Sequence, residues 1–217
     1  MHMQQQMKLK INYWPILRTP NVSQNSLDGK NNDQLLVQLN DNTVSNFRLE
    51  QVNIPSNIYG HEEVVDIDWH LEKPNTLVLT NIQKWEPTGE NIKLVAELKF
   101  TPIKQVMEPH TYTEYELDFK YDLTDLPSVQ LDKFNDNFDI AEEWFHFKLF
   151  GKALLHNQQL IPGHCFHIKE NFTWRAPIDD TAVIPLIFEF EEFGNVKTHT
   201  AIKFIQGLRF TIYKEQK

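Results

Sequence analysis

From Thr111 to Leu123 the chain alternates with a period of two: Tyr115, Leu117, Phe119, Tyr121 and Leu123 are interleaved with Glu114, Glu116, Asp118, Lys120 and Asp122. Only an extended backbone, whose side chains take opposite sides in turn, gathers the first set on one face and the second on the other. A helical period of 3.6 would scatter both. The same alternation recurs in Lys8 to Tyr13 (Leu9, Ile11, Tyr13), in Glu63 to Glu72 (Val65, Ile67, Trp69, Leu71) and through Ile92, Leu94, Ala96, Leu98 and Phe100. Leu35 to Leu39 and Val44 to Ile54 read as strands around an Asp41-Asn42 turn, and Thr76 to Ile82 as another. Met1 to Gln6 reads as a leader without structure, Trp85 to Glu90 as a turn, and Pro102 to Pro109 as a connection.

The stretch from Ala182 to Tyr213 reads as two long strands joined at Gly194-Asn195. In a sheet the parity of the loop decides which side chains share a face. A three-residue loop, Phe193 to Asn195, sets Ile184, Leu186 and Phe188 beside Phe204, Ile202 and Thr200, and Glu189 opposite His199, with Asn195 supplying the left-handed backbone. The second strand keeps its parity through Leu208, Phe210 and Ile212, and Gly207 is expected to mark a bulge or kink.

Between these strands, Thr19 to Asp33 is rich in Asn, Ser, Gly and Pro and reads as a long loop. Thr124 to Asp139, with Pro127 and Asn135-Asp136-Asn137, is the best candidate boundary. Ile140 to Phe150 favours strand over helix, because Phe145, Phe147 and Leu149 alternate with Trp144, His146 and Lys148. Leu154 to Leu160 reads as a hairpin around His156-Asn157, and Cys165 to Lys169 and Phe172 to Ala176 as short strands. The fold class that follows is all-β, an antiparallel β-sandwich architecture with little helix. The preferred division is two packed modules, immunoglobulin-like or jelly-roll-like: residues 1–130, then residues 131–217 ending in the long hairpin. A single extended sandwich or jelly roll is the alternative.

Thirty acidic against 21 basic residues give a net charge of −9. Binding a phosphate backbone needs clustered Lys and Arg, so a nucleic-acid partner is not expected, whereas a basic protein is. The single cysteine, Cys165, cannot form an internal disulfide and reads as a half-buried structural residue in a reducing, cytoplasmic setting. No apolar run is long enough to span a membrane.

Chemistry at a site needs reactive side chains that converge. His164, His167 and Glu170 make a histidine-rich segment, but on a strand His164 and His167 take opposite faces, whereas one metal ion needs its ligands together. Neither a metal nor a cofactor is therefore expected. Cys165 and His167 share a face without a third group to orient them. The acidic rows Asp66, Asp68, Glu72 and Glu114, Glu116, Asp118 fall on outward faces.

More informative are aromatic residues on the polar side: Trp144 shares a face with His146, and Trp85 lies in a turn among charged residues. Such tryptophans anchor protein interfaces. The resulting functional reading is a non-catalytic protein-protein interaction or assembly module, a structural or accessory subunit or an inhibitor or immunity-type protein, with Trp85, Trp144 and His146 as binding residues. Homo-oligomerisation through an edge strand fits the same features, the last strand being the proposed edge. The alternative is a carbohydrate-binding module, or a carbohydrate-active or metal-assisted hydrolase.

Overall fold

A computed structural model describes residues 4–14, 34–48, 61–85, 90–106, 112–122, 144–149, 152–156, 165–174, 186–193 and 205–214. Among these residues the regular structure is all strand: β1 (Gln4–Trp14), β2 (Gln34–Leu39), β3 (Asn42–Arg48), β4 (His61–His70), β5 (Asn75–Trp85), β6 (Glu90–Val106), β7 (Tyr112–Asp122), β8 (Trp144–Leu149), β9 (Lys152–His156), β10 (Cys165–Trp174), β11 (Leu186–Phe193) and β12 (Ile205–Tyr213). They form two antiparallel six-stranded sheets. Sheet I runs β4-β1-β12-β11-β8-β9 and sheet II runs β10-β7-β6-β5-β2-β3.

The sheets bury the apolar rows against each other. Met7, Leu9, Ile11 and Tyr13 of β1, Ile67 and Trp69 of β4, and Leu208, Phe210 and Ile212 of β12 face Leu77 and Leu79 of β5, Leu94 to Phe100 of β6 and Tyr115 to Tyr121 of β7. Aromatic rings bridge the layers: Trp69 meets Phe100 at 5.5 Å and Trp174 at 5.6 Å, and Phe100 meets Phe188 at 4.9 Å. Tilted and edge-on pairs of this kind add to the area they bury because the positive ring edge meets the negative face.

Strand pairing crosses residue 130 in both sheets. In sheet I, β1 hydrogen-bonds β12 along Lys8 to Trp14, and in sheet II β10 pairs β7 along its whole length. Strands from 1–130 and 131–217 thus share one core rather than filling one sandwich each. The physical reason is that β1 has an apolar face of its own and finds its second neighbour at the far end of the chain.

Local expectations shift accordingly. The leader reading of Met1 to Gln6 gives way to a strand from Gln4, which continues the hydrogen bonding of β1 to β4. The β2–β3 turn is Asn40-Asp41, one position earlier than read, because Leu39 pairs with Asn42. Both turn residues have positive φ, 49° and 67°, the backbone that a two-residue hairpin needs and that Asn and Asp tolerate. β6 continues through the expected connection to Val106, with a register shift between Pro102 and Lys104 that leaves Ile103 exposed. The two short strands read from Cys165 to Ala176 are one strand, β10.

The last hairpin keeps the expected parity but not the expected register. Leu186 pairs with Ile212 and Phe188 with Phe210, and Glu189 stands opposite Arg209, ten positions beyond His199. Gly207 lies in unbroken register between Trp14 and Glu191 rather than at a bulge. Because β12 is hydrogen-bonded on both sides, it is not the edge through which another chain could pair. Among the described residues the sheet edges are β4, β9, β10 and β3.

Candidate interaction site

Tyr13 and Asn81 align the two layers: the Asn81 amide donates to Tyr13 Oη at 2.9 Å and to the Gln34 carbonyl at 3.1 Å. The C-terminal ends of β1 and β5 therefore stand over each other. Trp85 closes β5 at this end, opposite Glu90 and within the strand rather than in a turn. Trp14 closes β1 here, and Trp144 opens β8 here, opposite Phe193. Trp69 and Trp174, by contrast, are buried core residues near the opposite end, where Trp69 pairs with Gln5 and Trp174 with Thr113.

Three rows across sheet I define its outer face at the tryptophan end. Arg209, Glu189 and Lys148 form one row, in which Glu189 ion-pairs with both cations. Its two cations are open to water, Lys148 at 46% and Arg209 at 45% exposure, and Glu189 between them is partly buried. Two residues further along each strand, and so on the same face, come Trp14, Gly207, Glu191, His146 and Leu155 in consecutive register. The following row is Ile205, Phe193 and Trp144. In register order the line Arg209-Glu189-Lys148 is thus followed by Trp14-Gly207-Glu191-His146 and then by Ile205-Phe193-Trp144. This juxtaposition of Trp14 with the β8 residues needs the β1–β12 pairing, which no local pattern announces. The local signal was only that Trp14 has the parity of Lys8 and Lys10.

The histidine-rich segment is arranged differently. His164 lies outside the described residues. His167 is exposed and hydrogen-bonds Asp118 of β7, while Glu170, Ile168 and Phe172 occupy the other, core-facing side of β10 with intermediate burial. One strand cannot bring His167 and Glu170 to a common ion. Among the described residues no three His, Cys, Asp or Glu side chains gather as a ligand set. Cys165 is exposed on the His167 side, not half-buried as read, because β10 is an edge strand and this is its outer face.

The acidic rows stand among cations. On sheet II, Lys99, Asp118 and Lys169 share one register line and Glu97, Lys120 and His167 the next, alternating signs that suit a solvated surface. Asp66 pairs with Lys8, and Glu62 with Lys10 at 3.4 Å. Inside, burial raises the pKa of the Tyr115 phenol above its ordinary 10.0, while the Trp69 indole and Thr113 oppose the rise. Neither Trp69 Nε1 nor Tyr115 Oη achieves full hydrogen-bond geometry. Among the described residues no helix is long and apolar enough to cross a membrane.

No family model and no curated protein matches this sequence. Two solved structures are similar to it: the paired C2 domains, A and B, of Extended-Synaptotagmin 2, at 8% identity over 97% of this chain and 93% of that one with a TM-score of 0.24, and the calcium-bound form of the same domains, at 9% identity over 97% and 98% with a TM-score of 0.26. At such TM-scores the backbones do not superpose as one arrangement.

Proposed function

We propose that this chain is a non-catalytic protein-protein interaction or assembly module that offers the outer face of sheet I to a basic protein partner. The observation that carries this reading is the pair of rows Trp14-Gly207-Glu191-His146 and Ile205-Phe193-Trp144, on a face whose neighbouring row is open to water. A solvated sheet face normally carries polar residues in alternation with the core row. Apolar and aromatic residues at these positions suit an interface, where tryptophan is an enriched anchor. The net charge of −9 favours a cationic partner. Trp85 ends β5 of sheet II, in register with Glu90, and is not part of the outer face of sheet I.

The test is affinity purification of the tagged full-length chain from its native cells, with and without Trp144→Ala. The reading requires a co-purifying chain that Trp144→Ala loses while the thermal midpoint stays within a few degrees. Retention of every co-purifying chain by the variant overturns it, as does a large drop in the midpoint, which would make Trp144 a core residue.

A further inference from the structure

We infer that the outer face of sheet II is where a second copy of this chain docks, face to face, about a two-fold axis lying along the row Leu36-Thr80-Val95. Leu35, Val37, Leu77, Leu79, Leu94 and Ala96 turn into the core. The residues between them take the opposite face: Leu36 of β2, Val78, Thr80 and Ile82 of β5, and Val95 of β6. None of these five belongs to the core cluster, and the pairing of β2 with β5 and of β5 with β6 runs without a break across them. Thr80 is their centre, with Leu36 and Val95 beside it in register and Val78 and Ile82 two residues away along its own strand. A solvated sheet face alternates polar residues with the core row. Here the middle of the outer face is largely apolar instead, and its rim is polar: Gln34 and Lys93 flank Ile82, and Gln38 and Glu97 flank Val78. An apolar centre within a polar rim is the layout of a protein interface.

The occupant follows from the symmetry of that layout. A two-fold axis in the face carries each residue to the position equally far on the other side of the central row. Ile82 thereby meets Val78 of the second copy, Gln34 meets Gln38, and Lys93 meets Glu97, each pair twice. The contact is apolar on apolar, amide on amide and cation on anion, the self-complementarity that an isologous dimer requires. Lys93 is exposed. Among the described residues neither Lys93 nor Glu97 has an ion-pair partner within its own chain, although Lys120 of β7 is the register neighbour of Glu97. Asp122 of β7 continues the central row beyond Val95 and faces its own copy across the axis, which confines the contact to β2, β5 and β6. Three strands about 4.8 Å apart make a contact roughly 15 Å wide, small for a permanent dimer, so the association is weak and reversible.

The experiment is sedimentation velocity of the full chain at about 5–300 μM, the range of weak dimer constants. Salt at about 0.15 M screens the repulsion between two copies of net charge −9. The weight-average sedimentation coefficient should rise with concentration toward that of a dimer. Lys93→Glu and Glu97→Lys each set like charges against each other across the axis and should weaken association about tenfold. An equimolar mixture of the two variants restores both contacts of opposite sign and should associate as tightly as the unaltered chain. A monomer at every concentration overturns the inference, as does a dimer that neither single variant weakens or a mixture that recovers nothing. Val78→Lys separates a second copy from a segment of the same chain lying on this face. Loss of association with the thermal midpoint within a few degrees of the original supports the dimer, whereas a sharp fall in the midpoint with association unchanged overturns it. The outer face of sheet I takes no part in this contact, so either result leaves the interaction reading above to its own test.

Discussion

The side-chain amide of Asn75 satisfies both backbone groups of His70: its Oδ1 accepts from His70 N at 2.9 Å and its Nδ2 donates to the His70 carbonyl at 2.9 Å. This clasp holds the crossing from β4 of sheet I to β5 of sheet II. Asn75 is completely buried, and its Oδ1 also accepts from Asn40 Nδ2 at 3.1 Å. Asn75→Ala removes all three bonds, at a cost of about 2–4 kcal/mol. Asn75→Asp replaces the donor facing the His70 carbonyl with an acceptor and should destabilise at least as much. Urea unfolding measures both; a loss below about 1 kcal/mol for Asn75→Ala would show that the clasp contributes little.

The Asn40-Asp41 turn separates backbone strain from side-chain bonding. Both residues have positive φ, which glycine adopts without penalty. Asp41 is exposed, so Asp41→Gly should stabilise the protein by up to about 0.5–1 kcal/mol. Asn40 instead donates to Asn75 and accepts from Thr76 N at 2.9 Å. Asn40→Gly should therefore destabilise by about 1–2 kcal/mol in spite of the same backbone relief. Chemical denaturation of the two variants checks the opposite signs.

Tyr115 sets a limit on stability in alkali. Its folded pKa lies above the unfolded 10.0 because burial penalises the phenolate. Above pH 10 the unfolded chain releases this proton first, so the folded state binds more protons and stability falls as pH rises toward the folded pKa. Below pH 10 both states are protonated and the effect vanishes. Tyr115→Phe should flatten the decline between about pH 10 and 11.5. At pH 7 the change should cost less than about 1 kcal/mol or be stabilising, since the hydroxyl makes no well-formed hydrogen bond. Thermal melts of both proteins across pH 7–11.5 measure the two effects.

The period of two made most strands and their buried faces legible. Tyr115 to Tyr121, Leu94 to Phe100 and Leu9 to Tyr13 are core rows as the alternation implied. Partnership was less legible, because it depends on residues far apart in the chain. Gly194-Asn195 is a strong local turn signal, yet the register is governed by burying Leu186 and Phe188 beside Ile212 and Phe210. Parity survived that change because the shift is even. The composition of Thr124 to Asp139 suggested a boundary, but composition carries no information about β1 joining β12. For the same reason Trp144 and His146 could be placed on one face from their spacing, whereas their proximity to Gly207 and Trp14 could not.

The displaced register also predicts which residue is energetically coupled to Glu189. The pairing sets it opposite Arg209, with which it forms an ion pair, while Lys148 lies at 3.9 Å on its other side. Arg209 is nearly half exposed, so water and salt limit the interaction to about 0.3–1 kcal/mol. A double-mutant cycle on Glu189→Ala and Arg209→Ala should return that coupling at low ionic strength and lose much of it in about 0.5 M salt. The cycle on Glu189→Ala and His199→Ala should return none within error, since direct pairing with His199 belongs to the tight-turn register. Coupling to His199 in place of Arg209 would overturn the β11–β12 alignment. It would also dismantle the Trp14-Gly207-Glu191 row, because Glu191 is placed opposite Gly207 by the same register.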